Sequence, residues 1–329
     1  MPTDTSIPTD TATPTDASIP TDTATPADTS TLTDTSADDR IHQNARQGQA
    51  PPTRRIDFGF GEVDLPRHFM GDDLVFSHVV AVLSCLFPEG EDFFVRSVRN
   101  YRDQIDDPLL ARQVKGFIGQ EAIHGREHRA FNEALGDLGY PVRFHDARVR
   151  LGLGIFSRVA PKSYQLALTA ALEHYTATLA EVLLNSDTLQ TGTEIEQVRE
   201  LFLWHALEEN EHKSVAFDVF QRVCGKERIR VNVMRFATVG FITALFAGTA
   251  ASLALDPAAR DLPRLRRSFA RFRRNPLVSR QVRARIRDYN RPGFHPEDHD
   301  TNELLDTWRA RLFGPEGELN HRLKGDRAA

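Results

Sequence analysis

The chain is poor in cysteine, in net positive charge and in any targeting signal, and each shortage narrows what it can be. Its two cysteines, Cys85 and Cys224, stand in apolar helical surroundings and form no C-x-x-C pair. That argues against a disulfide framework and a thiolate nucleophile, and it fits a reducing compartment with buried thiols. Net charge is −5 over 329 residues, so the chain as a whole lacks the basic footprint of a nucleic-acid binder, and no nucleic-acid partner is expected. The N-terminus has neither the basic start nor the apolar run and cleavage site of a signal peptide. The expected location is cytoplasmic.

Hydrophobic residues make up 40% of the chain, enough for a substantial core, but they are unevenly spread. Residues 2 to about 37 repeat a hexapeptide, PTDTSI PTDTAT PTDASI PTDTAT PADTST LTDTSA. This tract has almost nothing apolar to offset its ordering entropy, so 1–54 is expected to be a disordered, solubilising tail. Folded sequence is expected over 55–256, with an arginine-rich helical extension over 257–329.

From Asp72 onward the pattern is helical and the expected class is all-α. Asp72 or Asp73 caps a first apolar helix that Pro88 interrupts. Helical spacing resumes in EGEDFFVRSVRNYRDQI, where Glu91 falls on the apolar side with Phe94, Val95 and Val98. Asp107 and Pro108 supply an N-cap and first-turn proline for a long helix ending by Gly136 or Gly139. Pro141 to Ala160, rich in arginine and glycine, is expected to be a loop. A helix after Pro161 carries Glu173 among alanines and leucines, and Thr193 with Glu196 forms a capping box for the next.

The densest stretch is Trp204 to Phe220, WHALEENEHKSVAFDVF, expected to be one helix. At about 100° per residue, His205, Glu208, Glu209 and His212 project within roughly one 100° sector that continues into apolar positions. Unpaired buried carboxylates are too costly to keep, so such a face either meets a cation or stays in water. A solvated charged face would be the better explanation of a lone E-x-x-H. Here the pattern occurs twice: Glu91 precedes Glu121-x-x-His124, and Glu173 precedes Glu209-x-x-His212. Each interval suits two antiparallel helices of ~20 residues and a turn. Glu, E-x-x-H, Glu, E-x-x-H on four helices is the ligand set of ferritin-like dinuclear carboxylate bundles, so the expected fold is a ferritin-like four-helix bundle with extra N-terminal and C-terminal helices. Oxygen outnumbers nitrogen and thiolate is absent, which suits two divalent ions, iron first, then manganese, with zinc less natural. His128 and His205 each stand one turn from a ligand pair, as a further ligand or as a group that fixes a carboxylate; His128 is counted with the metal ligands. Gly119 and Gly125 flank Glu121 and His124, and close packing against a neighbour would explain them. His174, His295 and His299 are read as structural.

At these residues the sequence resembles the bacterial proteins described as predicted metal-dependent hydrolases. The resemblance covers about Leu65 to Phe313 and rests on FPEGEDFF, the QEAIH helix, ALEHYTA, WHALEENEHKSVAFDV and YNRPGFHPEDHD. It implies an all-helical, metal-binding bacterial protein that hydrolyses its substrate. The ligand set by itself looks more like a site that activates dioxygen. The preferred reading is therefore a di-iron oxidase or oxygenase acting on a small apolar substrate, and the alternative is a hydrolase of an ester or amide, with Glu208 or His205 as proton carrier in the second. Metal storage ranks third, because nothing identifies the oligomeric shell and ion exit it needs.

Past Gly225, Phe236 to Leu255 runs twenty residues without a charge, the length of a membrane span. A helix buried against the bundle, roofing an apolar channel or a homo-oligomer contact, is preferred. Dense arginine follows from Arg260 to Arg291, suggesting attraction to an anionic membrane surface, with a solvated basic helix equally compatible.

Overall fold

The computed structural model describes residues 50–325; the hexapeptide tract and its expected disorder lie outside the described residues. Those residues are mostly helical, and their one β-feature is an isolated bridge between Ile56 and Leu323. The chain is all-α.

The first long helix, α1 (Leu74–Arg99), starts where the Asp73 side chain accepts from the Phe76 amide. It does not stop at Pro88. A proline in mid-helix removes one N–H and orphans the carbonyl four residues earlier, but the freed Ser84 carbonyl accepts from Asn132 Nδ2 at 3.2 Å. A neighbouring side chain thus replaces the lost helix bond. In α2 (Pro108–Asp137), Asp107 caps the Leu109 and Leu110 amides, Pro108 takes the first turn, and Gly139 leaves at φ 87°.

The segment expected as a loop is helix α3 (Val142–Val159). Its arginines and glycines obscured an apolar stripe, and Leu153 and Phe156 of that stripe pack on the core. Helix α4 (Lys162–Leu184) follows Pro161, and a single turn, Asp187–Gln190, leads to α5 (Glu196–His212). The Thr193 capping box does not form, because the Thr193 hydroxyl donates to the Phe69 carbonyl at 2.6 Å and accepts from the Ile195 amide. Nor does one helix run from Trp204 to Phe220. The chain turns at Lys213 and Ser214 and restarts as α6 (Val215–Val223). At that turn the buried Lys213 ammonium donates to the His299 carbonyl at 2.7 Å and the Thr301 hydroxyl at 2.9 Å.

Helices α1 and α2 pack as one pair and α4 and α5 as another, with α1 also against α4 and α2 against α5. Aromatic cores lie on either side of the enclosed centre, one around Phe58, Phe131, Trp204 and Trp308, the other around Phe93, Phe117, Phe217 and Tyr289. Helix α7 (Glu227–Ala254) lies across α1 and α4, followed by α8 (Leu262–Phe272), α9 (Arg280–Asp288) and α10 (Asn302–Phe313). Both α1 and α7 are long and apolar enough to cross a membrane by length and composition. The α1 window is 67% buried, so the core accounts for it; the α7 window is 22% buried. The expectation of a buried helix therefore holds for one face of α7 only.

Candidate metal centre

Glu91 stands on α1, Glu121 and His124 on α2, Glu173 on α4, and Glu209 and His212 on α5, each at most 3% exposed. The four helices bring all six together. Glu91, Glu121 and His124 offer ligand atoms within 4.8 Å of one another, and so do Glu121, Glu173 and His212. Glu121 belongs to both groups. Glu209 Oε1 lies 3.5 Å from His124 Nδ1 and 3.7 Å from His212 Nε2, between the two.

The pattern of unsatisfied polar atoms tests whether metal ions fit here. Both oxygens of Glu91, Glu121 and Glu173, together with Glu209 Oε2, His124 Nδ1 and His212 Nε2, are buried without a hydrogen-bond partner. Buried polar atoms in folded proteins are nearly always paired, so a convergence of such orphans marks a missing ligand. His212 Nε2 is 3.0 Å from Glu121 Oε1 and 3.2 Å from Glu173 Oε2, close but not aligned for hydrogen bonding. Ligand atoms about 2.1 Å from a shared ion are themselves roughly 3.0–3.4 Å apart. Four carboxylates also carry the charge that two divalent cations neutralise. The residues fit a pair of metal ions.

Without metal, protons balance the charge. Burial, then the neighbouring Glu121 charge, raises Glu91 well above the ordinary carboxylate range and Glu173 to about 8. Glu121 is raised as well, chiefly by burial. Burial opposes the charge on His124, but Glu208, Glu209 and Glu121 hold it up at about 10. His212 is likewise raised against burial by Glu173 and Glu121. Glu209 goes the other way: against the cost of burial, the three imidazoles His124, His205 and His212 keep it ionised.

The remaining candidates sit around this centre. His205 Nε2 is 2.8 Å from Glu209 Oε1, and its Nδ1 is 2.6 Å from His128 Nε2. His128 Nδ1 in turn meets Ser84 Oγ at 2.9 Å, so both His128 nitrogens have side-chain partners. Glu208 faces the far edge of the His124 ring, its Oε2 3.0 Å from Nε2. His295 is held against Asp218, His299 against Asp288 and His174 against the Arg285 carbonyl, all outside the centre.

The sequence reading missed Arg54. It lies in an extended strap on α2, where Gly116 and Gly119 have no room for a Cβ against Pro51 and Thr53; close packing does explain Gly119. From there Arg54 donates to Glu208 and to both oxygens of Glu211. Gln120 links Glu211 to His212, accepting from His212 Nδ1–H through Oε1 at 2.9 Å and donating to Glu211 through Nε2 at 3.0 Å. Each imidazole of the centre is therefore steered from its outer edge through a carboxylate that Arg54 holds. Two glycines three apart on one helix face were the available signal; nothing in the periodicity pointed to the arginine.

Glu91 with His128 and His205, and His124 with His205 and Glu209, also offer ligand atoms within 4.8 Å of one another, so His128, expected among the ligands, stands within reach of the centre. A cluster apart from it, His68, His78 and Asp256, has the same residue types. There Asp256 Oδ2 already meets both imidazoles and the Arg67 guanidinium, so it is a saturated anchor between the start of α1 and the end of α7.

An all-helical frame around a buried carboxylate and imidazole cluster defines a helical protein with residues able to hold metal. A family profile described as predicted metal-dependent hydrolase matches residues 52–300, and the chain belongs to that family. No curated protein and no solved structure matches the chain.

Proposed function

We propose that this protein is a ferritin-like, dinuclear metal-dependent enzyme acting on a small apolar substrate, with hydrolysis of an ester or amide as its reaction. The convergence of nine unpartnered ligand atoms on six residues carries the metal assignment, and the family description carries the reaction class. Glu91, Glu121 and His124 would hold one ion and Glu121, Glu173 and His212 the other, with Glu209 reaching both. When bound, the ions supply Lewis acidity and an acidic water.

The chain's own residues do the rest. An apolar cavity of about 100 Å³, lined by Val80, Leu83, Phe87, Leu179 and Leu203 among others, ends on His205 and Glu209. That is comparable to the ~150 Å³ of an apolar cavity able to take up a small hydrocarbon. The cavity walls exclude water and align an apolar substrate with its reacting group inward. His205, at the inner end, has the reach to pass a proton between the centre and the substrate, and His128 with Ser84 fixes its ring. Glu208 orients His124 and is a positioning residue.

A second reading, oxidation with dioxygen, is favoured by one feature, the excess of carboxylates over imidazoles among the six residues. Reconstitution with zinc and with ferrous iron separates the two. Ester turnover by the zinc form without dioxygen supports hydrolysis. Oxygen uptake tied to product formation by the iron form, with an inert zinc form, overturns it. Elemental analysis of the purified wild type should find close to two ions per chain, and Glu121→Ala and Glu209→Ala should each lose most of them. A folded, metal-free wild type would remove the basis of both readings.

A further inference from the structure

Helices α3 and α7 run side by side in opposite directions: Phe156 stacks on Phe236 at 5.8 Å, and His145 meets the backbone at Gly248. Their outer sides form one apolar face. Phe236, Val239, Ile242 and Phe246 project from α7, the last 73% exposed, and Leu151, Ile155 and Val159 from α3. Large apolar side chains left exposed together on two neighbouring helices mark a contact surface.

Charge identifies what covers it. Every charged residue between Asp261 and Asp288 is an arginine. Arg264, Arg271 and Arg285 are paired with Asp72, Asp73 and Glu181, but Arg266, Arg267, Arg273, Arg274, Arg280 and Arg283 have no carboxylate partner among the described residues. Helix α8 adds exposed Leu262 and Phe269 to the same segment. Exposed apolar side chains followed along the chain by unpaired arginines, and interleaved with them on α8, are the composition of helices lying in the interface of an anionic bilayer. A symmetric pairing of two copies would instead bring a carboxylate-poor surface against itself.

We propose that α3, α7 and α8 dock this protein on an anionic lipid surface, lying in its plane rather than spanning it. Spanning would require α7 to leave the bundle. Its inner side is pinned along its length, by Met234 and Ala237 in the core and by Ser252, whose hydroxyl is 2.7 Å from His78 Nδ1. The apolar cavity of the metal centre reaches outward to Phe241 of α7 and to Leu277, in the turn between α8 and α9. The substrate is therefore an apolar molecule carried in the lipid leaflet, a conclusion that rests on the proposed reading of that cavity, whereas the docking does not.

Flotation of the full-length protein tests the docking. It should rise with vesicles of phosphatidylcholine and phosphatidylglycerol, much less with phosphatidylcholine alone, and be released by salt. Ile242→Ser with Phe246→Ser, and Arg266→Glu with Arg267→Glu, alter only exposed side chains; each pair should weaken binding about tenfold or more with an unchanged circular dichroism spectrum. Absence from anionic vesicles, or equal binding by both variants, overturns the proposal. So does a dimer in solution that the serine pair dissociates without vesicle binding, or RNA binding in its place. Glu121→Ala should float like wild type, so loss of the metal reading leaves the docking intact. Methyl octanoate dissolved in the vesicles should be recovered, as ester or acid, on re-isolated wild type and be reduced in Thr176→Phe, which narrows the cavity. Equal recovery would refute the leaflet route even where docking holds.

Discussion

Arg54 holds Glu208 and Glu211 together, and through them the outer edges of His124 and His212. Removing such an outer partner leaves every ligand in place while loosening its orientation, typically costing about 10–100-fold in metal affinity. Arg54→Gln should therefore keep the helical spectrum and bind zinc weaker by about that factor in a competition titration; unchanged affinity would reduce Arg54 to a packing residue. The six residues that converge were legible in the sequence because they obey helical spacing twice over: one E-x-x-H is common, and its repetition with a preceding apolar-face glutamate is not. Arg54 obeys no period. It comes from an extended strap whose position on α2 is a tertiary fact, as is the link that Gln120, on α2 itself, makes between Glu211 and His212.

At the scale of the element, the differences from the sequence reading have local causes that spacing does not encode. In the sequence Pro88 marks a break because proline deletes a helix bond, and the repair comes from Asn132 on another helix. A double-mutant cycle tests that account. Asn132→Leu should cost about 1–3 kcal/mol by leaving the Ser84 carbonyl buried and unpaired. In a Pro88→Ala background the helix bond is restored, so the same substitution should cost measurably less in urea unfolding. Additive effects would show that Asn132 acts only through the Ser84 hydroxyl, to which its Oδ1 is also bonded. Helix α3 was hidden for a different reason. Its apolar residues face outward as much as inward, with Phe144, Leu151 and Ile155 exposed, so its amphipathic pattern did not point at the core. The caps of α1 and α2, by contrast, are aspartates beside their own helices and were readable in place.

For the whole molecule, the buried carboxylate and imidazole cluster couples stability to pH with a definite sign. In the metal-free protein Glu91, Glu121 and Glu173 are raised, Glu173 to about 8, and so are His124, to about 10, and His212. A group raised on folding contributes its stability fully below its unfolded pKa and loses it as pH rises through the folded value. Glu173 thus stops stabilising the metal-free fold between about pH 4.5 and 8, and His124 between about pH 6.5 and 10. Glu209, lowered on folding, acts oppositely but only at acid pH. Metal ions compete with the same protons and bind the deprotonated ligands, so their affinity grows as pH rises. A metal present at ~1,000-fold over its Kd adds about 4 kcal/mol. The thermal midpoint of chelator-treated protein should therefore fall from about pH 6 to about pH 8.5, while that of metal-replete protein holds or rises, so the two curves diverge. Parallel curves over that window would mean that the buried carboxylates are not the groups to which the ions bind.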